Sequence, residues 1–199
     1  GMKNSFAPLV AGGKNGLVLH YSENNNIINS NDLVLADVGA SCNNYCADVS
    51  RTFPISGRFA GIQKDVYNIV LAANEGVIKA VKSGETFAHL EETAREILSA
   101  GLIDLGIIKD KDDLDKYYYH SIGHSLGLDA HDICDKSIPL KSGMIITVEP
   151  GLYIKELSTA VRIEDDVLVK DNGCEVLTKD IIKTVDEIER FMKNREGIG

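Results

Sequence analysis

Residues 33–53 read LVLADVGASCNNYCADVSRTF, and this stretch decides the fold. Leu33 to Val38 is an apolar run bounded by Asp32 and Gly39, the pattern of a buried strand. Asn43–Asn44 suits a hairpin turn. The returning strand is expected over Tyr45–Phe53, closing at Pro54. Asp37 and Asp48 interrupt the apolar pattern on either side of that turn. Two carboxylates on paired strands can face one another, and there they repel, lose hydration and push one another toward protonation. A divalent cation removes that cost. A solvent-facing pair is the competing reading.

Outward from the hairpin the period changes. Val66, Ile69, Val70, Ala73, Val77, Ala80 and Val81 recur at helical spacing, ending at Ser83-Gly84. A second helix is expected over Phe87–Ala100, with Gly101 as its stop. Met144–Ile154 and Ala160–Val169 each read as one strand, Asp171–Gly173 as a turn and Asp186–Lys193 as a short helix. Upstream, the stretch to Asn15 shows no period, and Gly16–Tyr21 reads as a strand carrying His20. Strands, then helices, then strands predict an α+β fold, an antiparallel sheet with helices on its outer face.

A formal net charge of −9 argues against nucleic acid as a partner, since phosphate binding needs basic patches. No apolar tract is long enough to span a bilayer, so a cytoplasmic location is the expectation. Cys42, Cys46, Cys134 and Cys174 form no CxxC pair and read as reduced, structural thiols.

Three further segments carry chemistry. Glu149 interrupts an apolar run and precedes Pro150, which sets an extended backbone. Glu164 lies in VRIEDDVLV, where Asp165 and Asp166 read as turn or surface charges. His120, His124 and His131 lie in HSIGHSLGLDAHD, whose glycines argue against a helical zinc site. Hard oxygen ligands with one imidazole suit Mn²⁺, Fe²⁺ or Co²⁺ better than structural zinc. Four carboxylates and two divalent cations come close to neutrality.

The strings ADVGASCNNYCADVSRTFPISGRF, HSIGHSLGLDAHD, ITVEPGLYI, VRIEDDVLV and GCEVLT stand in an order that resembles the pita-bread metallopeptidases. Among these, the RTFPISGRF and VRIEDD strings are similar to Xaa-Pro aminopeptidase (aminopeptidase P). The resemblance implies two divalent metal ions, Mn²⁺ foremost with Co²⁺, Fe²⁺ or Zn²⁺ as alternatives. It implies Asp37, Asp48, His124, Glu149 and Glu164 as ligands, with Asp48 and Glu164 bridging. It makes Glu149 the proton acceptor, His131 and His20 substrate-side residues, and His120 and Arg162 residues that orient ligands and substrate. His89, outside these strings, is expected at the surface.

The implied activity is removal of the N-terminal residue from peptides with proline second, a bond whose tertiary amide has no N–H. Methionine aminopeptidase or prolidase activity, or a non-catalytic peptide-binding module, are the alternatives. Residues 1–199 are expected to form one catalytic domain, without the family's N-terminal domain and its first helical segment. That expectation leaves an apolar face uncovered, to be met by a homo-oligomer or the missing N-terminal part. The connection between Glu149 and Glu164 is also shorter than the family's usual one.

Overall fold

The computed structural model describes residues 1–195. Its strands are β1 (Lys3–Asn4), β2 (Leu9–Gly12), β3 (Leu33–Val38), β4 (Ala40–Cys42), β5 (Tyr45–Cys46) and β6 (Val49–Pro54). Helices α1 (Gly61–Ala80) and α2 (Phe87–Asp104) follow. Then come β7 (Ile145–Val148), β8 (Gly151–Ile154), β9 (Thr159–Arg162), β10 (Asp165–Lys170), β11 (Gly173–Val176) and α3 (Val185–Arg195). Every ladder is antiparallel, in the orders β2-β3-β6, β11-β10-β7, β8-β9 and β1-β4-β5.

The central hairpin forms as the apolar pattern dictates, with β3 on its expected bounds. Asn43 and Asn44 both take positive φ, 52° and 66°, which two-residue hairpin turns require. The returning strand is broken, however. β5 ends at Cys46 and β6 begins at Val49, so Asp48 sits in the gap and Ser50 pairs with Asp37. Side chains alternate along a strand, so Asp48 shares Ser50's face and still reaches Asp37.

The helices lie against this sheet through an apolar stripe. Val66, Tyr67, Val70, Ala73 and Val77 of α1 are fully buried, as are Leu98 and Leu102 of α2. Each such aliphatic side chain contributes roughly 1.5–3 kcal/mol on burial. Gly101 does not stop α2, which runs on to Asp104. Its role is contact: a Cβ at Gly101 would lie 2.6 Å from Ile69 Cγ1, so the missing side chain lets the two helices approach.

The strand expected over Gly16–Tyr21 is not formed. Residues Gly13–Leu17 make a 3₁₀ turn, entered through Gly13 at φ 55°, and the true strand is the preceding β2. Gly16 packs directly on Ala160, where a Cβ would stand 2.7 Å from the alanine methyl. The two long strands expected near the C-terminus are each split in two, and those interruptions shape the site. On the far side, Val38 and Ile181 are exposed and border an apolar hollow of about 450 Å³ lined by Ala36, Ala47 and Val49. None of the helices among the described residues is long and apolar enough to cross a membrane.

Candidate metal centre

Four segments converge on one cavity of about 370 Å³ lined by Asp37, Asp48, His124, Glu149, Arg162 and Glu164, with His20, His120 and His131 also at its wall. Asp37 comes from β3 and Asp48 from the gap before β6. His124 comes from a glycine-punctuated strip that runs beside β7: Thr147 N–H donates to His124 O at 2.9 Å, and Leu126 N–H to Ile145 O at 3.0 Å. Gly123 makes this approach feasible, since a Cβ there would sit 2.1 Å from Thr147 O. The strip is extended, as its glycines suggested.

Glu149 and Glu164 are delivered by breaks in the sheet. Glu149 and Pro150 separate β7 from β8, and Ile163 and Glu164 separate β9 from β10. At the first break Glu149 N–H donates to Ile122 O at 2.9 Å; at the second, Glu164 N–H donates to Ser50 O at 3.0 Å.

Ligand-type atoms of His124, Glu149 and Glu164 all lie within 4.8 Å of one another, and so do those of Asp37, Asp48 and Glu164. The two groups share Glu164. A third, Asp48, His124 and His131, meets the same limit. Two buried oxygens, Asp37 Oδ1 and Asp48 Oδ1, have no hydrogen-bond partner among the described residues. Buried polar atoms are seldom left so.

The imidazole fits the same demand. His124 Nδ1 lies 3.2 Å from Ser125 O, which can only accept, so the ring proton sits on Nδ1. Burial lowers the ring's pKa to about 4, keeping it neutral at pH 7. Its lone pair on Nε2 then faces Glu149 Oε1 at 3.3 Å and Asp48 Oδ2 at 3.7 Å. Acceptors facing acceptors call for a cation or a proton between them. Lacking one, the carboxyls resist ionisation: burial, then the charge of Asp37, push Asp48 up to about 9. Burial pushes Glu149 up to about 7 and Glu164 well above the ordinary range. The donor set therefore fits bound divalent cations.

Arg162 is more than a partner for Glu164. Its Nη2 donates to Asp37 Oδ2 at 2.7 Å, its Nε to Ser50 Oγ at 2.8 Å and its Nη1 to Tyr153 Oη at 3.0 Å. His120 Nδ1 donates to Ser121 O at 2.9 Å, so the Tyr153 hydroxyl, whose pKa burial pushes up to about 12, donates a hydrogen bond to His120 Nε2 at 2.9 Å. His120 thus stands behind the carboxylates, while His20 and His131 are exposed at the mouth. His131 also stacks on His124, with ring centroids 4.2 Å apart. His89 is exposed on α2.

Sequence reasoning missed several supports. Ser50 Oγ donates to Glu164 Oε2 at 2.8 Å, and period-two alternation from Asp48 could have flagged it. Asp165 and Asp166, read as surface charges, are buried. Asp165 is paired with Arg51 at 2.7 Å and Lys183 at 2.6 Å; Asp166 accepts from Asp48 N–H at 3.3 Å. Their burial comes from Thr178 and the C-terminal segment folding over β10, which no local pattern announces.

An antiparallel α+β domain with this cluster of carboxylates and imidazole is built like a metal-binding domain. The chain belongs to metallopeptidase family M24, whose model matches residues 1–171. It is 39% identical to the Xaa-Pro aminopeptidase of Haemophilus influenzae, covering 94% of this chain and 48% of that protein. It is 38% identical to the mitochondrial intermediate cleaving peptidase 55 of Arabidopsis thaliana, covering 96% and 41%. Escherichia coli aminopeptidase P with the inhibitor Pro-Leu superposes with a TM-score of 0.93 at 35% identity, covering 97% of this chain and 48% of that one. Pseudomonas aeruginosa aminopeptidase PepP gives 0.93 at 39%, covering 97% and 48%. The fold is therefore the pita-bread fold. The chain spans less than half the length of these relatives.

Proposed function

We propose that this chain is a catalytic domain that removes the N-terminal residue from peptides with proline in second position, using two divalent cations. Asp37, Asp48, His124, Glu149 and Glu164 hold them, and Mn²⁺ is the first choice for an oxygen-rich site with one imidazole. The carrying observation is a pair of buried oxygens without a partner among the described residues, Asp37 Oδ1 and Asp48 Oδ1, in a ligand group that shares Glu164 with a second group, His124 and Glu149. The names of the relatives support the substrate class.

When bound, a cation pair supplies an activated water and a Lewis acid for the scissile carbonyl. The chain's own residues do the rest. The Glu149 carboxylate, at the cavity wall beside His124, accepts a proton from water. His131 and His20, at the open side, hydrogen-bond the peptide and stabilise charge that develops on its carbonyl oxygen. Arg162 and His120 fix the direction of Asp37 and of the Tyr153 hydroxyl.

The test is metal analysis after equilibration with Mn²⁺, followed by a panel of Xaa-Pro-Xaa peptides, Xaa-Pro dipeptides and Met-initiated peptides. Two ions per chain and cleavage of the first class are expected. Cleavage restricted to dipeptides or to N-terminal Met would replace the substrate assignment. Fewer than one ion at saturation would end the enzymatic reading in favour of a peptide-binding module.

A further inference from the structure

Glu149 and Glu164 both sit where the sheet is interrupted at one level. The β7–β10 ladder ends at the pair Val148–Asp165, and the β8–β9 ladder starts at Gly151–Arg162. The region is fully enclosed, with Val148 and Ile163 at 0% exposure. Buried carbonyls there need donors from elsewhere.

One side chain provides them from the helical layer. Asn74, at 0% exposure on α1, donates through Nδ2 to Val148 O at 3.1 Å and to Ile163 O at 3.3 Å. These carbonyls belong to the residues immediately before Glu149 and Glu164. The orientation of the amide is chemically determined. Lys183 Nζ, which can only donate, lies 2.7 Å from Asn74 Oδ1, so Nδ2 must face the carbonyls.

Lys183 is held in turn by Asp165 Oδ2 at 2.6 Å. Arg51 pairs with the other oxygen of Asp165 and donates to Ser50 O at 3.0 Å and Glu164 O at 2.6 Å. A continuous polar chain thus runs from the C-terminal segment, through α1, to the backbone on both sides of Glu164.

We propose that Asn74 is a positioning residue for both glutamates: its amide ties the two interrupted strands together and fixes the separation of the Glu149 and Glu164 carboxylates. The inference rests on the ligand set proposed above. Asn74 touches neither substrate nor cation, so its effect must appear in how a cation is held. A role confined to stability would lower melting temperature without altering the metal's surroundings.

The test compares the full chain with Asn74→Leu, which keeps bulk and removes the amide, and with Val70→Ala, a cavity variant on the same helix. Co²⁺ is the probe, read by calorimetric titration and by its visible absorption. Asn74→Leu is expected to weaken Co²⁺ binding about ten-fold or more, the usual effect of losing a group that orients ligands, and to shift the absorption bands. Val70→Ala is expected to melt earlier yet keep the wild-type affinity and spectrum. Wild-type binding and spectrum in Asn74→Leu, or an equal loss in Val70→Ala, would overturn the assignment. If Asn74→Leu does not fold, Lys183→Met decides: shifted bands support the proposal and unchanged bands overturn it. Failure of the wild-type chain to bind Co²⁺ would instead defeat the metal-site reading, and this inference with it.

Discussion

Arg162 engages one oxygen of Asp37: Nη2 meets Oδ2 at 2.7 Å, and Oδ1 is buried without a partner among the described residues. The guanidinium thereby aims the free oxygen into the cavity. Three of its nitrogens serve three residues, a geometry that an ammonium cannot copy. Breaking a buried pair leaves an uncompensated charge. Arg162→Met is therefore expected to lower stability by about 3 kcal/mol, measured by urea unfolding of chelator-treated protein. Arg162→Lys should fall between it and wild type.

The pH dependence of the metal-free chain follows from two opposing sets of groups. Burial lowers His120 and His124 to about 4. They stay neutral in the folded chain, so the stability they contribute is lost as pH falls from about 6.5 toward 4. Asp48 is raised to about 9, and Glu149 and Asp166 to about 7, chiefly by burial. Their contribution is fully present below the unfolded carboxyl value and is lost as pH rises through 7 to 9. Above pH 6.5 the histidine contribution is complete and the carboxyl groups set the trend. The urea midpoint should therefore drop between pH 6.5 and pH 9, with a slope of up to about 1.4 kcal/mol per pH unit for each group titrating. A flat or rising profile would contradict this. Saturating Mn²⁺ should reverse the trend, because ligation needs ionised carboxylates.

Asp48→Asn should separate stability from binding. In the metal-free chain burial, and then the charges of Asp37, Glu149 and Asp166, hold its carboxyl protonated at a cost that a neutral amide avoids. The metal-free variant should gain about 1 kcal/mol, as relief of a strained functional site commonly does. Metal analysis should show loss of the two-ion stoichiometry. A variant that is less stable without metal would show that the protonated carboxyl makes contacts that outweigh this cost.

Two glycine substitutions should part in their effects. Gly101→Ala meets only the flexible side chain of Ile69, at 2.6–2.8 Å. Overpacking of about 1–3 kcal/mol is expected, seen as an earlier melting transition with metal affinity intact. Gly123→Ala meets the backbone of Thr147, with its oxygen at 2.1 Å and its carbon at 2.9 Å. The strip bearing His124 must move, so melting temperature and Mn²⁺ affinity should fall together.

Much of this architecture is legible from pattern alone. The β3 run opens apolar because Leu33, Val34 and Leu35 are buried on both of its faces. The α1 stripe recurs at helical spacing because only one face meets the sheet. The four candidate carboxylates stand within apolar patterns, His124 lies in a glycine-punctuated string, and the fold gathers all five at one cavity. What escaped depends on distant chain. Gly16–Tyr21 alternates like a strand, but Gly16 packs on Ala160 and pulls it into a turn. Asp165 and Asp166 look like surface charges until Arg51, Lys183 and Thr178 cover them. Asn74 reads as an ordinary polar residue in a helix, and only the interrupted sheet beneath it gives it work.

The same interruption confers latitude on the loop beyond it. Gly151–Arg162 pairing fixes where β8 and β9 start and finish, and the turn at Lys155–Leu157 lies at the far end of that hairpin. Residues added to or removed from the turn change its length without altering the pairing at its base. The length of the Glu149-to-Glu164 connection therefore says little about the geometry of the carboxylate cluster. The turn marks a place where insertions can lengthen the hairpin while the centre keeps its dimensions, and where a designer could graft a new segment.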